Sequence, residues 1–353
     1  MKKCIKYGVG LLCVVILVIF IVWTGRQQRN NIKYEQTGFA MGTAVTMIVY
    51  GADGDSLCEQ ILAGIDALEQ QISWRMEGSE VYELNHSYEA GEDYQVSTEL
   101  SGYISFANVL SHDTDGALDI TIRPLADVWG IEDGNMTVPD ETDIDEAMKY
   151  VDYTQVTVTD DYVNINKAGY SIDLGAYGKG IACDDIYDIL AGSGCQGAVI
   201  SVGGSIIVYG AKPDGDAWNI GVRNPRGDEN DVMAVISISA DDAAVYVSSS
   251  GDYEKYFICD GVRYHHIINP LTGYPADTGI ISATVVCDSG IEADGLSTAC
   301  ILVGLDQALE LLDAYGADGV LIDEEKNVYI TDGLKEAIEI TDEDYHIVEQ
   351  AAN

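Results

Sequence analysis

Two short apolar runs separated by a Gly-Gly pair, within residues 197–210, limit the fold more than any other stretch of the chain. Short β-branched runs on either side of such a pair predict two neighbouring strands. Residues 44–50, 156–165 and 319–330 contain similar runs, which predict a further strand and further hairpins. The chain is therefore expected to be rich in β-sheet.

Helix-forming segments lie between these strand-like runs. Residues 55–72 have apolar side chains at helical spacing, and residues 97–111 are interpreted as a second helix. Ser79 is expected to cap a short helix that ends at Asn85. The acidic residues 133–147 are interpreted as a solvated surface loop.

The N-terminal segment differs from the rest of the chain. Residues 7–23 are almost wholly apolar and follow three lysines, and about 20 such residues cross a bilayer as a helix. No Ala-x-Ala cleavage pattern follows, and Cys13 lacks the small residue directly before it that a lipoprotein site carries. We therefore predict an uncleaved anchor at residues 1–24 and a linker at 25–36. The body of the protein is expected outside the cytoplasm.

Charge and cysteine usage exclude several functions. Six of the 18 basic residues precede Tyr34, where there is no acid, so the rest of the chain has 12 basic residues against 59 acidic ones, a formal charge of −47. Such a body repels nucleic acid and anionic lipid. The cysteines show no Cys-x-x-Cys spacing, which argues against a zinc site or a disulfide scaffold.

Asp294 and Thr298 form a candidate cation site. Residues four positions apart lie on one face of a helix, so the two side chains can offer oxygen atoms to a single ion. Magnesium usually takes only one or two carboxylates together with a substrate phosphate. The alternative is that Asp294 caps a helix whose apolar face packs inward. These residues alone favour the cap.

Lys179 lies in a glycine-rich turn that joins a predicted strand to a helix. Such a turn exposes amide N–H groups to anions, and the lysine adds a positive charge. The turn has neither the Walker ending nor the Gly-x-Gly-x-x-Gly pattern.

Three further residues have a functional and a structural interpretation. Adjacent residues on a strand point to opposite faces, so of His265 and His266 only one is expected to face a site, and we choose His266. Glycines beside Met41 would let a planar group approach the backbone, although a core position is the better interpretation of Met41 alone. Trp74 could stack on a ring or cover the edge of the core.

Taken together, these stretches resemble the ApbE family of FAD:protein FMN transferases, over nearly the whole body from Gly38 to Ile330. The segments that carry the resemblance are Phe39-Ala40-Met41-Gly42-Thr43, Ser79-Glu80 with Leu84-Asn85, Gly116-Ala117-Leu118-Asp119 with Pro124-Leu125 and Trp129-Gly130, Asp173-Leu174-Gly175-Ala176 with Lys179-Gly180, Gly203-Gly204, Ser250-Gly251-Asp252-Tyr253, His266-Ile267-Ile268 with Pro270 and Thr272-Gly273, and Ala293-Asp294 with Thr298. Each motif is weak singly, but their common order is specific.

The resemblance implies an α+β fold. A single large domain at residues 37–340, with mixed and antiparallel sheets flanked by helices, would follow the membrane-anchor helix and precede a C-terminal tail at residues 341–353. It also implies an extracytoplasmic, membrane-anchored enzyme that splits FAD in the presence of Mg²⁺. The FMN would pass to a threonine or serine of an acceptor flavoprotein of an electron-transfer chain, with release of AMP.

The resemblance also implies roles for individual residues and reverses the preference at Asp294. Asp294, Thr298 and the backbone carbonyl of Ala176 would hold the metal. His266 would be the base for the acceptor hydroxyl, and Lys179 would neutralise phosphate charge. The residues expected to line the FAD site are Met41, Trp74, Ala117, Leu118, Asp119, Asp173, Lys179 and Ile268. Two alternatives stay open, an FAD pyrophosphatase that gives FMN and AMP, and a non-catalytic FAD-binding surface protein.

Overall fold

The residues that the computed structural model describes are 31–51, 53–228 and 230–348, without the side chains of residues 241 and 242. The anchor predicted at residues 1–24 lies outside them. Within the described part of the chain, no helix combines the length and the apolar character needed to cross a bilayer.

Strands supply most of the framework of the described residues. In chain order they are β1 (Lys33–Ala40), β2 (Thr43–Tyr50), β3 (Asp93–Gln95), β4 (Val156–Thr159), β5 (Tyr162–Ile165), β6 (Gly197–Val202), β7 (Ser205–Gly210), β8 (Trp218–Arg223), β9 (Val232–Ile238), β10 (Ala240–Gly251), β11 (Tyr256–Cys259), β12 (Val262–His265), β13 (Ile280–Cys287), β14 (Asp318–Asp323), β15 (Asn327–Ile330), β16 (Ile338–Ile340) and β17 (His346–Ile347).

Nine of these strands form one large sheet, in the order β1-β2-β6-β7-β10-β13-β14-β15-β17. Every neighbouring pair is antiparallel except β15 and β17, which are parallel. The predicted β6–β7 hairpin is confirmed, and Gly203 occupies its turn at φ 57°, a conformation that glycine adopts without steric cost. Two three-stranded sheets, β16-β9-β8 and β3-β5-β4, and the β11-β12 hairpin lie outside the large sheet.

The helices of the described residues are α1 (Gly54–Ile72), α2 (Glu80–Ser87), α3 (Thr98–Asp113), α4 (Arg123–Trp129), α5 (Glu141–Met148), α6 (Gly178–Ser193), α7 (Gly290–Val303) and α8 (Leu305–Ala314). The two helices expected at residues 55–72 and 97–111 are confirmed as α1 and α3. Ser79 caps α2 as predicted, since its hydroxyl accepts a hydrogen bond from the backbone N–H of Tyr82, and α2 ends two residues beyond Asn85.

The large sheet is covered on both faces, because its strands bury alternate side chains on opposite sides. On one face, α7 packs on β10 and β13, α6 packs on α7, and α1 packs on α6. On the other face, Val208 and Val247 pack against the small β16-β9-β8 sheet through residues such as Met233 and Ile236. The α+β class with a large, helix-flanked sheet is therefore confirmed, although helices flank only one face and a second sheet covers the other.

The interpretation of residues 133–147 as a loop is wrong for their second half. The helix α5 occupies Glu141–Met148, and its Ile144 and Ala147 are buried. They belong to a separate small core with Trp129 and Phe257. The acidic composition of this segment favours a loop. The helical signal consists only of two apolar positions three residues apart.

Candidate active site

Helix α6 begins at the glycine turn predicted to bind anions. Its first three residues are Gly178, Lys179 and Gly180. A Cβ on Gly178 would lie 3.1 Å from Cε of Met41, so the absence of a side chain lets Met41 cover the start of the helix. Met41 itself is in the left-handed region at φ 49°. The motif residues Met41 and Lys179, 138 positions apart, therefore meet at one helix end.

Two glycines allow α6 and α7 to approach closely. A Cβ on Gly180 would lie 2.1 Å from the carbonyl oxygen of Gly290, and a Cβ on Gly290 would lie 2.2 Å from that of Gly180. The carboxylate of Asp184 on α6 accepts hydrogen bonds from the N–H groups of Gly290 (2.7 Å) and Ile291 (2.8 Å) at the start of α7. This crossing places Asp294, on the second turn of α7, beside the start of α6.

Asp294 is almost fully buried, at 1% exposure, and its two carboxylate oxygens accept hydrogen bonds from three neighbouring elements. Oδ1 lies 2.9 Å from the hydroxyls of both Ser205 and Ser248, which are paired across β7 and β10. Oδ2 accepts from the N–H of Gly180 at 3.0 Å. Asp294 therefore does not cap its own helix, whose N-cap residue is Ser289, and instead binds an amide at the start of α6.

Lys179 completes the surroundings of this carboxylate. Its Nζ lies 3.3 Å from Oδ1 and 3.4 Å from Oδ2 of Asp294. The side chain of Lys179 is 30% exposed, whereas that of Asp294 is buried. The aliphatic part of the Lys179 side chain passes beside Gly203. A Cβ built on Gly203 would lie 3.5 Å from Cδ of the lysine.

The other two expected metal ligands lie close by in the fold. Thr298 is one turn beyond Asp294, and its hydroxyl is 3.1 Å from that of Ser250. Ser250 and Ser248 are two residues apart on β10 and thus share a face of the strand. The carbonyl of Ala176 accepts no hydrogen bond from the described residues, because Gly180, which would donate to it in a regular helix, donates to Asp294 instead.

The residues implied for the FAD site include two whose carboxylates are already bonded. Asp119 accepts from the N–H and the hydroxyl of Thr121, both at 2.7 Å, and from the N–H of Tyr153 at 2.8 Å. Burial raises its pKa, against the lowering effect of these bonds. Asp173 binds the guanidinium of Arg123 at 3.2 Å, and its N–H donates to the carbonyl of Ile120 at 2.7 Å. Asp119 therefore fixes a turn, and Asp173 is held beside that turn.

Three other expected FAD-site residues, Ala117, Leu118 and Ile268, have buried side chains, with 5–6% exposure. Ala117 and Leu118 belong to the main core, and Ile268 packs with Trp129 in the small core. Any contact with a ligand would thus be made mainly by their backbone.

Trp74 lies against two guanidinium groups. The Cζ atoms of Arg123 and Arg75 are 3.7 and 4.2 Å from the centre of its ring. Arg123 is 3% exposed and also pairs with Asp127, Asp173 and Glu132. A cavity of about 400 Å³ opens here, and the residues that line it are Trp74, Arg75, Tyr82, Asn85, His86, Arg123, Asp127 and Ser171.

The two adjacent histidines have different surroundings, as expected for neighbours at the end of a strand. Nε2 of His265 is 2.9 Å from the carbonyl of Ala276, and this ring is buried. His266 is half-buried, and its Nδ1 has no hydrogen-bond partner among the described residues. Burial lowers the pKa of His266, and the charges of Lys255 and Lys179 lower it further, whereas Glu132 acts in the opposite direction. Of the two rings, that of His266 is therefore the more exposed.

Several residues of this region were not found from the sequence. Ser205 and Ser248 contact Asp294, and Glu132 accepts from Lys255 at 2.8 Å. Two features of the sequence could have indicated them. One is a pair of serines two residues apart in an apolar strand, and the other is a lone arginine, Arg123, at the start of a Pro-containing helix. Over the described residues, no group of three or more His, Cys, Asp or Glu side chains could hold a metal ion, so a cation at Asp294 would rely mainly on neutral oxygen atoms.

Comparison with known proteins identifies relatives over most of the chain. The model of the ApbE family matches residues 41–321. The FAD:protein FMN transferase of Treponema pallidum is 28% identical over 97% of this chain and 98% of its own length. That of Vibrio cholerae is 29% identical over 87% of this chain and 86% of its own length.

Solved structures are similar as well. The ApbE protein of Thermotoga maritima has a TM-score of 0.77 and 34% identity, covering 87% of this chain and 99% of that one. The flavin transferase ApbE of Vibrio cholerae has a TM-score of 0.78 and 26% identity over 87% and 99% of the two chains. The resemblance found in the sequence motifs is confirmed, and the chain belongs to the ApbE family.

Proposed function

We propose that this protein is an FAD:protein FMN transferase that attaches FMN to a threonine or serine hydroxyl of an acceptor flavoprotein. The observation that carries the proposal is the convergence of Met41, Lys179 and Asp294 at the start of α6, within a chain whose relatives bear that name. A helix N-terminus with a lysine beside it suits the phosphates of a dinucleotide.

The reaction requires charge neutralisation more than covalent help from the protein. The acceptor oxygen forms a bond to the phosphorus of the FMN half of FAD, the bond from this phosphorus to the bridging oxygen breaks, and AMP leaves with that oxygen. Lys179 is placed to bind a phosphate oxygen as negative charge develops.

His266 is proposed to take the proton of the acceptor hydroxyl. A general base must be unprotonated, and the lowered pKa of His266 keeps its ring neutral at physiological pH. The ring of His266 is also more exposed than that of His265, although Nδ1 of each is buried and has no hydrogen-bond partner among the described residues. Glu132, held by Lys255 and near Arg123, supplies a negative charge that stabilises the imidazolium once formed.

A divalent cation, Mg²⁺ in our proposal, fits the oxygen atoms at Asp294. The donors are one buried carboxylate, the hydroxyl of Thr298 and the carbonyl of Ala176, which accepts no hydrogen bond from the described residues; all are hard ligands of the kind that Mg²⁺ prefers. When bound, such a cation would neutralise phosphate charge and favour departure of AMP. Ser205, Ser248 and Gly180 would hold the carboxylate in place.

The experiment combines the purified protein, FAD and MgCl₂ with membranes from cells of the same source that lack this chain. Covalent flavin fluorescence on a protein band, with release of AMP, is the expected result. AMP with free FMN would instead identify an FAD pyrophosphatase, and intact bound FAD would identify a non-catalytic binding protein. Either outcome would overturn the proposal.

Asp294→Ala tests the site directly, and we expect this variant to lose all turnover. Asp318→Ala is the matched control, because Asp318 also accepts hydrogen bonds from a threonine hydroxyl and a backbone N–H but lies on β14, away from α6 and α7. Circular dichroism must show that both variants are folded. Full activity of folded Asp294→Ala would refute the metal assignment.

The proposed location is the outer face of the cell membrane, with anchoring through the apolar residues 7–23. This part of the proposal is supported by the sequence of that segment alone. Protease added to intact spheroplasts is expected to digest the body of the protein. Full protection until the cells are lysed would contradict the location.

A further inference from the structure

We propose that the ammonium group of Lys179 occupies the cation position at Asp294 and that an incoming divalent cation displaces it toward the phosphates of FAD. The inference rests on the proposed function for its metal and substrate. It adds an exchange step, in which Lys179 first neutralises the carboxylate of Asp294 and, once a cation binds there, contacts a phosphate of the substrate.

The first observation is that hydrogen-bond donors lie beside both oxygens of the Asp294 carboxylate. Each carboxylate oxygen has about two lone pairs for hydrogen bonds. Oδ1 faces the hydroxyls of Ser205 and Ser248, which also lie 2.9 Å from each other, and Oδ2 faces the N–H of Gly180 and Nζ of Lys179. A cation that takes the position beside both carboxylate oxygens must therefore displace the ammonium of Lys179, whose Nζ lies within 3.4 Å of each.

The second observation is that Lys179 is the donor most easily displaced. The two serines and the Gly180 amide lie at 2.9–3.0 Å, whereas Nζ of Lys179 lies at 3.3 and 3.4 Å. Charge-assisted hydrogen bonds are normally about 2.7–2.9 Å long. The two serines lie on strands of the sheet and the amide belongs to a helix backbone, so these donors are held in place. The ammonium of Lys179, in contrast, lies at the end of a flexible four-carbon stem.

The third observation is that the lysine has a path outward. Its side chain is 30% exposed while that of Asp294 is 1% exposed, so the lysine side chain reaches solvent and the carboxylate does not. The other oxygen atoms that suit a cation, on Thr298 and Ala176, stay in place when it moves. Only side-chain torsions of Lys179 have to change.

The physical consequence is a link between cation binding and substrate binding. Burying a carboxylate without a positive partner destabilises the folded protein. Lys179 therefore stabilises the fold until a divalent cation binds. Once a divalent cation neutralises Asp294, the released ammonium is free for a phosphate oxygen. The cation would thus switch on the phosphate-binding role of Lys179.

The test uses the flavin-free, full-length protein and measures the labelling rate of individual lysines by an amine-reactive ester, with and without saturating Mn²⁺. We expect Mn²⁺ to raise the rate at Lys179 by about fivefold or more, because the amine leaves its carboxylate partner. Lys212, whose Nζ binds the carbonyl of Ala217 beyond the far end of β7, is the internal control and should not change.

Two variants sharpen the test. In Asp294→Asn, Lys179 should be labelled at the high rate whether or not Mn²⁺ is present. In Lys179→Met, Mn²⁺ measured by electron paramagnetic resonance should bind at least about tenfold more tightly, since no ammonium competes, and Lys212→Met should bind as the parent protein does.

The exchange is overturned if Mn²⁺ binds in an Asp294-dependent manner while labelling of Lys179 stays constant or falls. It is also overturned if Lys179→Met binds Mn²⁺ no better than the parent protein, including the case in which neither binds it without FAD. FMN transfer is measured in a separate assay. Either result would therefore reject the exchange step without rejecting the proposed transferase function.

Discussion

At the scale of single residues, the two neighbouring histidines allow a direct comparison of catalytic and structural roles. His266→Gln removes the proposed base, and we expect kcat to fall by about 10²- to 10⁴-fold. His265→Gln should retain most activity but lose about 1–2 kcal/mol of stability, because the buried ring bonds to the carbonyl of Ala276. Steady-state FMN transfer and urea unfolding of both variants provide the measurements. Equal kinetic losses would contradict the assignment of His266.

The pH dependence of the reaction follows from the lowered pKa of His266. Burial, with the charges of Lys255 and Lys179, disfavours the protonated ring, so the acid limb of kcat/KM should lie below the ordinary histidine value of about 6.5. In Lys255→Met the repulsion is removed and Glu132 loses its hydrogen-bond partner. Removal of the Lys255 charge raises the pKa of His266.

We therefore expect the acid limb of Lys255→Met to move to higher pH than that of the parent protein. Lys149→Met, which removes a surface lysine paired with Glu146, is the control and should keep the parent profile. An acid limb that stays in place or moves to lower pH in Lys255→Met would show that another group controls it.

At the scale of elements, the crossing of α6 and α7 determines the geometry around Asp294. Gly180→Ala would place a Cβ 2.1 Å from a backbone oxygen of α7, so the helices must separate. We expect a loss of about 2–4 kcal/mol together with a large loss of transfer activity. Urea unfolding gives the first quantity and the FMN assay the second.

Gly192→Ala is the matched control in the same helix. A Cβ at this position meets nothing within 4 Å, so the variant should gain up to about 1 kcal/mol through helix propensity and keep full activity. Equal stability of the Gly180 and Gly192 variants would contradict the close approach.

The sequence predicts those helices, caps and hairpins that are determined by residues close to one another in the chain. The helix at residues 55–72, the cap at Ser79 and the hairpin at residues 197–210 follow from periodicity, capping and turn chemistry. The helix α5 was missed because its apolar positions pack on Trp129, whose position depends on the tertiary fold. The second sheet over the back of the large sheet likewise depends on contacts between distant strands.

The site could be predicted only where a family motif marks it. The sequence identifies Lys179 and Asp294, and the two side chains lie within ion-pair distance of each other. The sequence could not show that Ser205 and Ser248 surround the carboxylate, or that Arg123 contacts Trp74, because strand register and helix crossing decide those contacts.

At the scale of the whole molecule, the excess of acidic residues should make stability depend on salt. Like charges repel in the compact state, and the Debye length falls from about 30 Å at 0.01 M to about 3 Å at 1 M salt. With 59 acidic residues against 18 basic ones, we expect the Tm to rise by several degrees over this range of NaCl. A falling Tm would mean that ion pairs contribute more than the repulsion.

The central claim is that this chain transfers FMN to another protein through the Asp294 site. Mass spectrometry of the fluorescent acceptor, after reaction with FAD and MgCl₂, tests it most directly. We expect one threonine- or serine-containing peptide that is heavier by FMN less one water, formed by the parent protein and absent with Asp294→Ala. Unmodified acceptor peptides, with FAD hydrolysed to free FMN and AMP, would contradict it.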